Sequence, residues 1–166
     1  GKSGSMDYIT GQWPQWSFGT LHSWAGLAGP DLIQSCPDGS VIWYGNKTFW
    51  RFTPRNGSVV DIGIPIRKRL RRINQGTARL GRSWVDRRTN QVHFALPLDD
   101  STANNLQFIW DFMAEGWRLA DSVTVEAVLS IPNADMVLIA GSLVPGSGGL
   151  NAGGRSPTVW IHGRGH

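Results

Sequence analysis

The 166-residue chain carries 40% hydrophobic residues, 17% charged residues and a formal net charge of +4, which excludes a highly charged disordered tail and leaves enough apolar material for a core, in one domain or a piece of a larger one. The single cysteine, Cys36, excludes an intrachain disulfide framework, and no run approaches the roughly 18–20 apolar residues that cross a bilayer as a helix, so no membrane span is expected. Nine Trp against two Tyr, with 21 Gly and nine Pro, favour short strands joined by turns over long helices, because aromatic residues fit a pleated, half-buried surface while Gly and Pro weaken helix interiors.

Residues 1–28 read as an N-terminal arm or a strand from a preceding unit. The first six, Gly1 to Met6, lack an apolar signal core and are set aside as a processed end, an expression scar or the edge of a fragment. Residues 29–140 form the main β domain. Strands are predicted over 31–36, 41–44, 48–53 and 58–62, closed in turn by Pro37-Asp38-Gly39-Ser40, Gly45-Asn46 and Pro54-Arg55-Asn56-Gly57. Asp-Gly and Asn-Gly between such runs are hairpin signals, since primed turns need positive φ, and four strands so joined make an antiparallel meander.

Residues 65–74 break the pattern. Ile66, Leu70 and Ile73 recur at helical spacing behind Pro65, which predicts one short basic amphipathic helix. A second meander follows: strands at 77–85 and 91–96 around Arg87-Arg88-Thr89-Asn90, then 106–112, the turn Ala114-Glu115-Gly116, and a strand from Trp117. A hairpin over 122–130 and 136–140 turns at 132–135. Residues 141–157 form a Gly/Ser-rich loop, and 158–166 supply a terminal strand centred on 158–162.

The fold class is therefore all-β, built of antiparallel meander hairpins. A propeller is the preferred architecture over a sandwich or barrel. Ile42-Trp43, Ile109-Trp110 and Val159-Trp160 repeat a β-branched-Trp pair at spacings of 67 and 50 residues, irregular but near the roughly 40–50 residues of one blade.

The charge is unevenly spread. From Lys47 to Arg88 the chain has twelve basic and two acidic residues, a net of +10, whereas the remainder nets −6. Arg67, Lys68, Arg69, Arg71 and Arg72 crowd the predicted helix, and Arg79 and Arg82 follow. These seven are the candidate basic interface, facing a protein or the phosphates of DNA; a solvated helix face is the competing reading. Trp13, Trp16, Trp24 and Trp50, in or beside loop-rich sequence, are candidate aromatic interface anchors, with core packing as the alternative.

Nothing in the sequence assembles a catalytic, cofactor or metal site. His162-Gly-Arg-Gly-His166 is too glycine-rich for a fixed metal geometry. His93 lies in a strand, and Asp99-Asp100, Asp111 and Glu115 read as turn residues. No nucleophile elbow is present, and the glycine run at 146–154 lacks the Lys-Ser/Thr ending of a phosphate loop. The glycosylation sequons at Asn46 and Asn56 are ordinary chance matches. Cys36 reads as a small residue near a strand end.

Three stretches carry a family likeness: Gly29-Pro30-Asp31 running through Asp38-Gly39 to Val41-Ile42-Trp43-Tyr44-Gly45; Asp61-Ile62-Gly63-Ile64-Pro65-Ile66 leading into Ile73-Asn74; and Asn90-Gln91-Val92-His93-Phe94-Ala95-Leu96-Pro97 followed by Asn104-Asn105, Ile109-Trp110-Asp111-Phe112 and Gly116-Trp117. From Gly29 to Asp121, a little over half the chain, the sequence resembles the β-propeller region of tail and head–tail connector proteins of short-tailed phages, the hub, nozzle and packaged-DNA stabilisation components. The resemblance implies a virion structural protein in a ring of identical subunits, contacting other phage tail or connector proteins and enclosing a channel for viral DNA. It implies no enzyme activity and no cofactor. Such proteins are usually much longer, so the chain reads as a fragment of three or four blades or as a smaller sandwich. Two other functions stay open: a carbohydrate-binding β module, because exposed Trp stack on sugars, and a polysaccharide hydrolase using the Asp99-Asp100 pair.

Overall fold

The computed structural model describes residues 4–121, 123–131, 136–143 and 158–162. It is mostly β, with 53% strand against 8% helical residues, arranged as four antiparallel sheets.

The chain opens with a hairpin of β1 (Met6–Gln12) and β2 (Gln15–His22), turned at Trp13-Pro14. This hairpin lies within the segment expected to be an arm. Sheet 1 follows, with β3 (Ile33–Ser35), β4 (Val41–Gly45), β5 (Thr48–Thr53) and β6 (Ser58–Asp61) side by side in chain order. Its turns are those the sequence specifies. Asn46 and Lys47 both take positive φ (48° and 65°), the primed geometry whose twist matches the strands. The Asp38 carboxylate accepts from the Ser40 backbone N–H at 2.9 Å, closing the turn locally.

The helix expected over 65–74 is much shorter. A 3-10 turn at Ile64–Ile66 passes into one α-helical turn, α1 (Arg67–Leu70). The chain then leaves helical geometry because Ile73 bridges to Leu98 and the Asn74 N–H donates to the Pro97 carbonyl. The apolar positions still do what their spacing predicts: Leu70 and Ile73 are buried and Ile66 packs beside them. The strand expected from residue 77 starts at 82, since Ala78–Leu80 forms a second 3-10 turn.

Sheet 2 repeats the meander with β7 (Arg82–Asp86), β8 (Gln91–Leu96), β9 (Leu106–Asp111) and β10 (Gly116–Ala120). Sheet 3 contains β11 (Val123–Ile131), β12 (Met136–Leu143) and β13 (Thr158–His162). Residues 141–143, expected to open the glycine-rich loop, extend β12; the expected turn at 132–135 and the loop over 144–157 lie outside the described residues.

Strand alternation stacks these sheets. Along β8, Val92, Phe94 and Leu96 face sheet 1, while Ala95 packs with Trp84 against Val125, Val137 and Ile139 of sheet 3. Sheet 2 is thus covered on both faces, and β8 is buried from Val92 to Leu96. Between sheets 1 and 2, the Phe49 ring lies 4.8 Å from Phe94, 5.5 Å from Phe108 and 4.6 Å from Trp117, centroid to centroid. The first strand of each sheet meets its neighbour: β7 lies against β3 on one side and β11 on the other. Gln34 donates to the carbonyl and hydroxyl of Ser83 at 3.0 Å each, and Ser83 donates to the Asp31 carbonyl at 2.5 Å. Asn104 joins sheet 3 to the preceding connection by donating to Leu80 O at 3.1 Å and Val125 O at 2.9 Å. No helix among the described residues is long and apolar enough to cross a membrane.

Candidate interaction surfaces

The basic side chains sit on the connection that leaves β6 and enters sheet 2, and the loop after β8 supports that connection from below. Asp99 N–H donates to the Arg72 carbonyl at 2.7 Å, and Asn74 donates its side-chain amide to Ser101 O at 3.0 Å. Leu70 and Ile73 point inward, so Arg67, Lys68, Arg69, Arg71 and Arg72 are all exposed on the outer side.

Two of the five are paired. Arg72 grips Asp99 through Nε at 2.8 Å and an Nη at 2.6 Å, a fork on a carboxylate. That hydrogen bonding, with Arg69 also nearby, holds the Asp99 carboxyl below its ordinary range. Arg67 reaches Asp61 at 3.4 Å. Among the described residues no ion pair engages Lys68, Arg69 or Arg71, so these three form the uncompensated crest of the ridge.

The remaining two candidates stand apart from that helical turn. Arg79 is exposed on the second 3-10 turn, also without an ion pair among the described residues. Arg82 opens β7, where its guanidinium meets Asp31 at 2.9 Å and the carbonyls of Leu80, Gly81 and Glu126 at 3.1–3.2 Å. It lines a polar pocket of about 260 Å³ with Asp31, Gln34 and Ser83, where the first strands converge. Its charge is thus absorbed internally.

The aromatic candidates divide in the same way. Trp13, Trp16 and Trp24 are 83%, 50% and 63% exposed. Trp50 is half-buried: its indole N–H donates to Gly45 O at 3.0 Å, and the His22 ring lies 5.0 Å from it. The structure adds Tyr8, Ile9 and Phe18, exposed on the first hairpin, and Met113 on the β9–β10 turn. Strand alternation places both apolar faces of that hairpin in solvent. Its signal in the sequence is an aromatic residue recurring at Tyr8, Trp16 and Phe18 around Trp13-Pro14.

Several titratable groups are engaged within the fold. The Asp111 carboxylate accepts from Ala114 N–H, Gln91 and Met113 N–H and pairs with Arg118, which together hold its carboxyl low. Burial tends to raise Asp38, but bonds from Ser40 and Arg51 outweigh it and lower the carboxyl. Burial pushes the Cys36 thiol up to about 12, which leaves almost no thiolate at neutral pH. His93 is buried and stacks on Trp84 at 4.7 Å. Asp99 is engaged by Arg72, so the adjacent Asp100 has no second free carboxylate beside it for acid–base work. Among the described residues no three His, Cys, Asp or Glu side chains are grouped to hold a metal ion. Compared with protein-family models and with curated proteins, the sequence matches none.

Proposed function

We propose that the chain is a structural component of a phage tail or head–tail connector, working in the virion as one member of a ring of identical subunits and not as an enzyme. The observation that carries this reading is the stacking of two four-stranded meanders and a third antiparallel sheet with their first strands in a row, β3 against β7 and β7 against β11. Face-to-face meander sheets radiating from a line of first strands are the arrangement of propeller blades. The finer fold reading is therefore a propeller with β3, β7 and β11 nearest the axis.

The surfaces support an assembling role. Exposed Trp and Arg are the side chains that anchor protein interfaces, and Trp13, Trp16 and Trp24 present them in one stretch of chain. Lys68, Arg69 and Arg71 offer uncompensated charge to a neighbouring tail protein or, without base readout, to DNA phosphates. Negative-stain imaging of the purified full chain tests the reading: rings are the expected result, and a monodisperse monomer at all concentrations overturns it.

The three exposed tryptophans also favour one second reading, a carbohydrate-binding module that recognises a receptor by stacking sugars. Binding on a glycan panel that disappears in Trp13→Ala and Trp24→Ala, from a monomeric protein, selects that reading over the first.

A further inference from the structure

Sheet 2 is covered on both faces, whereas the described residues leave the two outer faces of the stack only partly covered. On sheet 1, the cross-strand pairs Val41–Phe52, Trp43–Trp50 and Phe52–Val59 share the face turned away from sheet 2. The segment around Ala25 covers Trp43, whose indole N–H donates to Ala25 O at 2.7 Å, yet Val41, Phe52 and Val59 remain half-buried. On sheet 3, Val125, Val137 and Ile139 point to sheet 2. Alternation therefore turns the paired Leu129 and Leu138 outward, and Leu129 is 58% exposed. Both ends present the kind of apolar sheet face that the stack buries twice internally.

Their rims carry opposite charge. Lys47 and Arg55, in the two turns flanking β5, are exposed at the edges of sheet 1, and no ion pair engages them among the described residues. At sheet 3, Asp121 just before β11 and Glu126 at its register shift are exposed. From residue 119 to residue 143 the sequence has no Lys or Arg at all.

We propose that the outer face of sheet 3 in one copy docks on the outer face of sheet 1 in a second copy, head to tail. The occupant follows from the charge: the acidic rim of one end complements the basic rim of the other, whereas two like ends repel. Different patches on the two partners make the contact heterologous, so it closes into a ring or propagates. This rests on the self-assembly reading above and specifies the surfaces that carry it.

Sedimentation velocity on the full chain separates the two claims. The wild type is expected to assemble; Asp121→Lys with Glu126→Lys, or Lys47→Glu with Arg55→Glu, is expected to sediment as a monomer with an unchanged circular dichroism spectrum. In an equimolar mixture of those two variants every contact between unlike variants has complementary rims, one native and one exchanged, so the mixture should assemble with the two variants alternating. A chain carrying all four substitutions, its rims exchanged, should assemble again. If the wild type assembles and each rim variant assembles equally well, this interface is wrong while self-assembly stands. If the wild type is a monomer throughout, the self-assembly reading fails and the interface with it.

Discussion

The indole N–H of Trp117 in β10 donates to the backbone carbonyl of Ile62 at 2.7 Å, joining the last strand of sheet 2 to the chain leaving the last strand of sheet 1. The same indole packs at 4.6 Å against Phe49, the ring at the centre of the interface between these sheets. A hydrogen bond and an aromatic contact thus fix the spacing of two sheets at their outer edge. Trp117→Phe keeps much of the ring and leaves the Ile62 carbonyl without this donor, which should cost about 1–2 kcal/mol. Phe49→Ala opens a cavity between sheets and should cost roughly 3–5 kcal/mol. Urea unfolding followed by circular dichroism gives both values, and the order Phe49 over Trp117 is the expected result.

Asn104 is buried and donates to two carbonyls from different parts of the chain, Leu80 and Val125. Asn104→Ala strips both acceptors of this donor and should destabilise by roughly 2–3 kcal/mol. Asn104→Asp should do no better, because a carboxylate there accepts where the carbonyls need a donor. Chemical denaturation of both variants checks the pair.

The Arg72–Asp99 fork makes a pH prediction. Hydrogen bonding from Arg72 lowers the Asp99 carboxyl in the folded chain below the unfolded value of about 3.9. Its contribution is therefore present above that unfolded value and is lost as pH falls through the lower, folded one. Carboxyl NMR should place the Asp99 midpoint below the usual carboxylate range in the native protein and return it toward that range in Arg72→Ala.

Cys36 gives the opposite sign. Its thiol, pushed to about 12 by burial, favours folding below the unfolded value of about 8.5 and loses that contribution as pH rises from there toward the folded value. Thiol reagents at neutral pH should label Cys36 slowly in the native chain and fast in urea. Rapid native labelling would place the side chain outside the core.

Much of the fold is legible in the sequence because its turns are specified locally. Asp38-Gly39 and Asn56-Gly57 mark two turns of sheet 1, the turn expected at Gly45-Asn46 falls one residue later at Asn46-Lys47, and the bounds expected for 48–53, 91–96 and 158–162 coincide with β5, β8 and β13. The first hairpin is not legible in the same way, because Trp13-Pro14 supplies no such glycine signal. Residues 71–74 complete the helical pattern expected over 65–74 but leave helical geometry, because Leu98 and Pro97, more than twenty residues on, pair with Ile73 and Asn74. The basic cluster is visible as composition, but its neutralisation is not. Arg72 finds Asp99 at a separation of 27 residues and Arg82 finds Asp31 at 51, so only the folded chain separates the crest of Lys68, Arg69 and Arg71 from charges already satisfied.

That crest carries a further expectation. If it meets phosphates, Arg69→Glu with Arg71→Glu should weaken binding of double-stranded DNA across sequences and flatten the dependence of log affinity on log salt by about 0.9 for each phosphate the variant no longer neutralises. An unchanged slope would assign the crest to a protein partner or to solvent.

The most direct measurement is a three-dimensional electron-microscopy map of the assembled full chain. The account predicts stacked antiparallel sheets arranged about an axis, with β3, β7 and β11 innermost and the β6 and β10 edges outermost. A map with β6 and β10 at the axis, or with the sheets closed into an isolated two-layer sandwich, would contradict it.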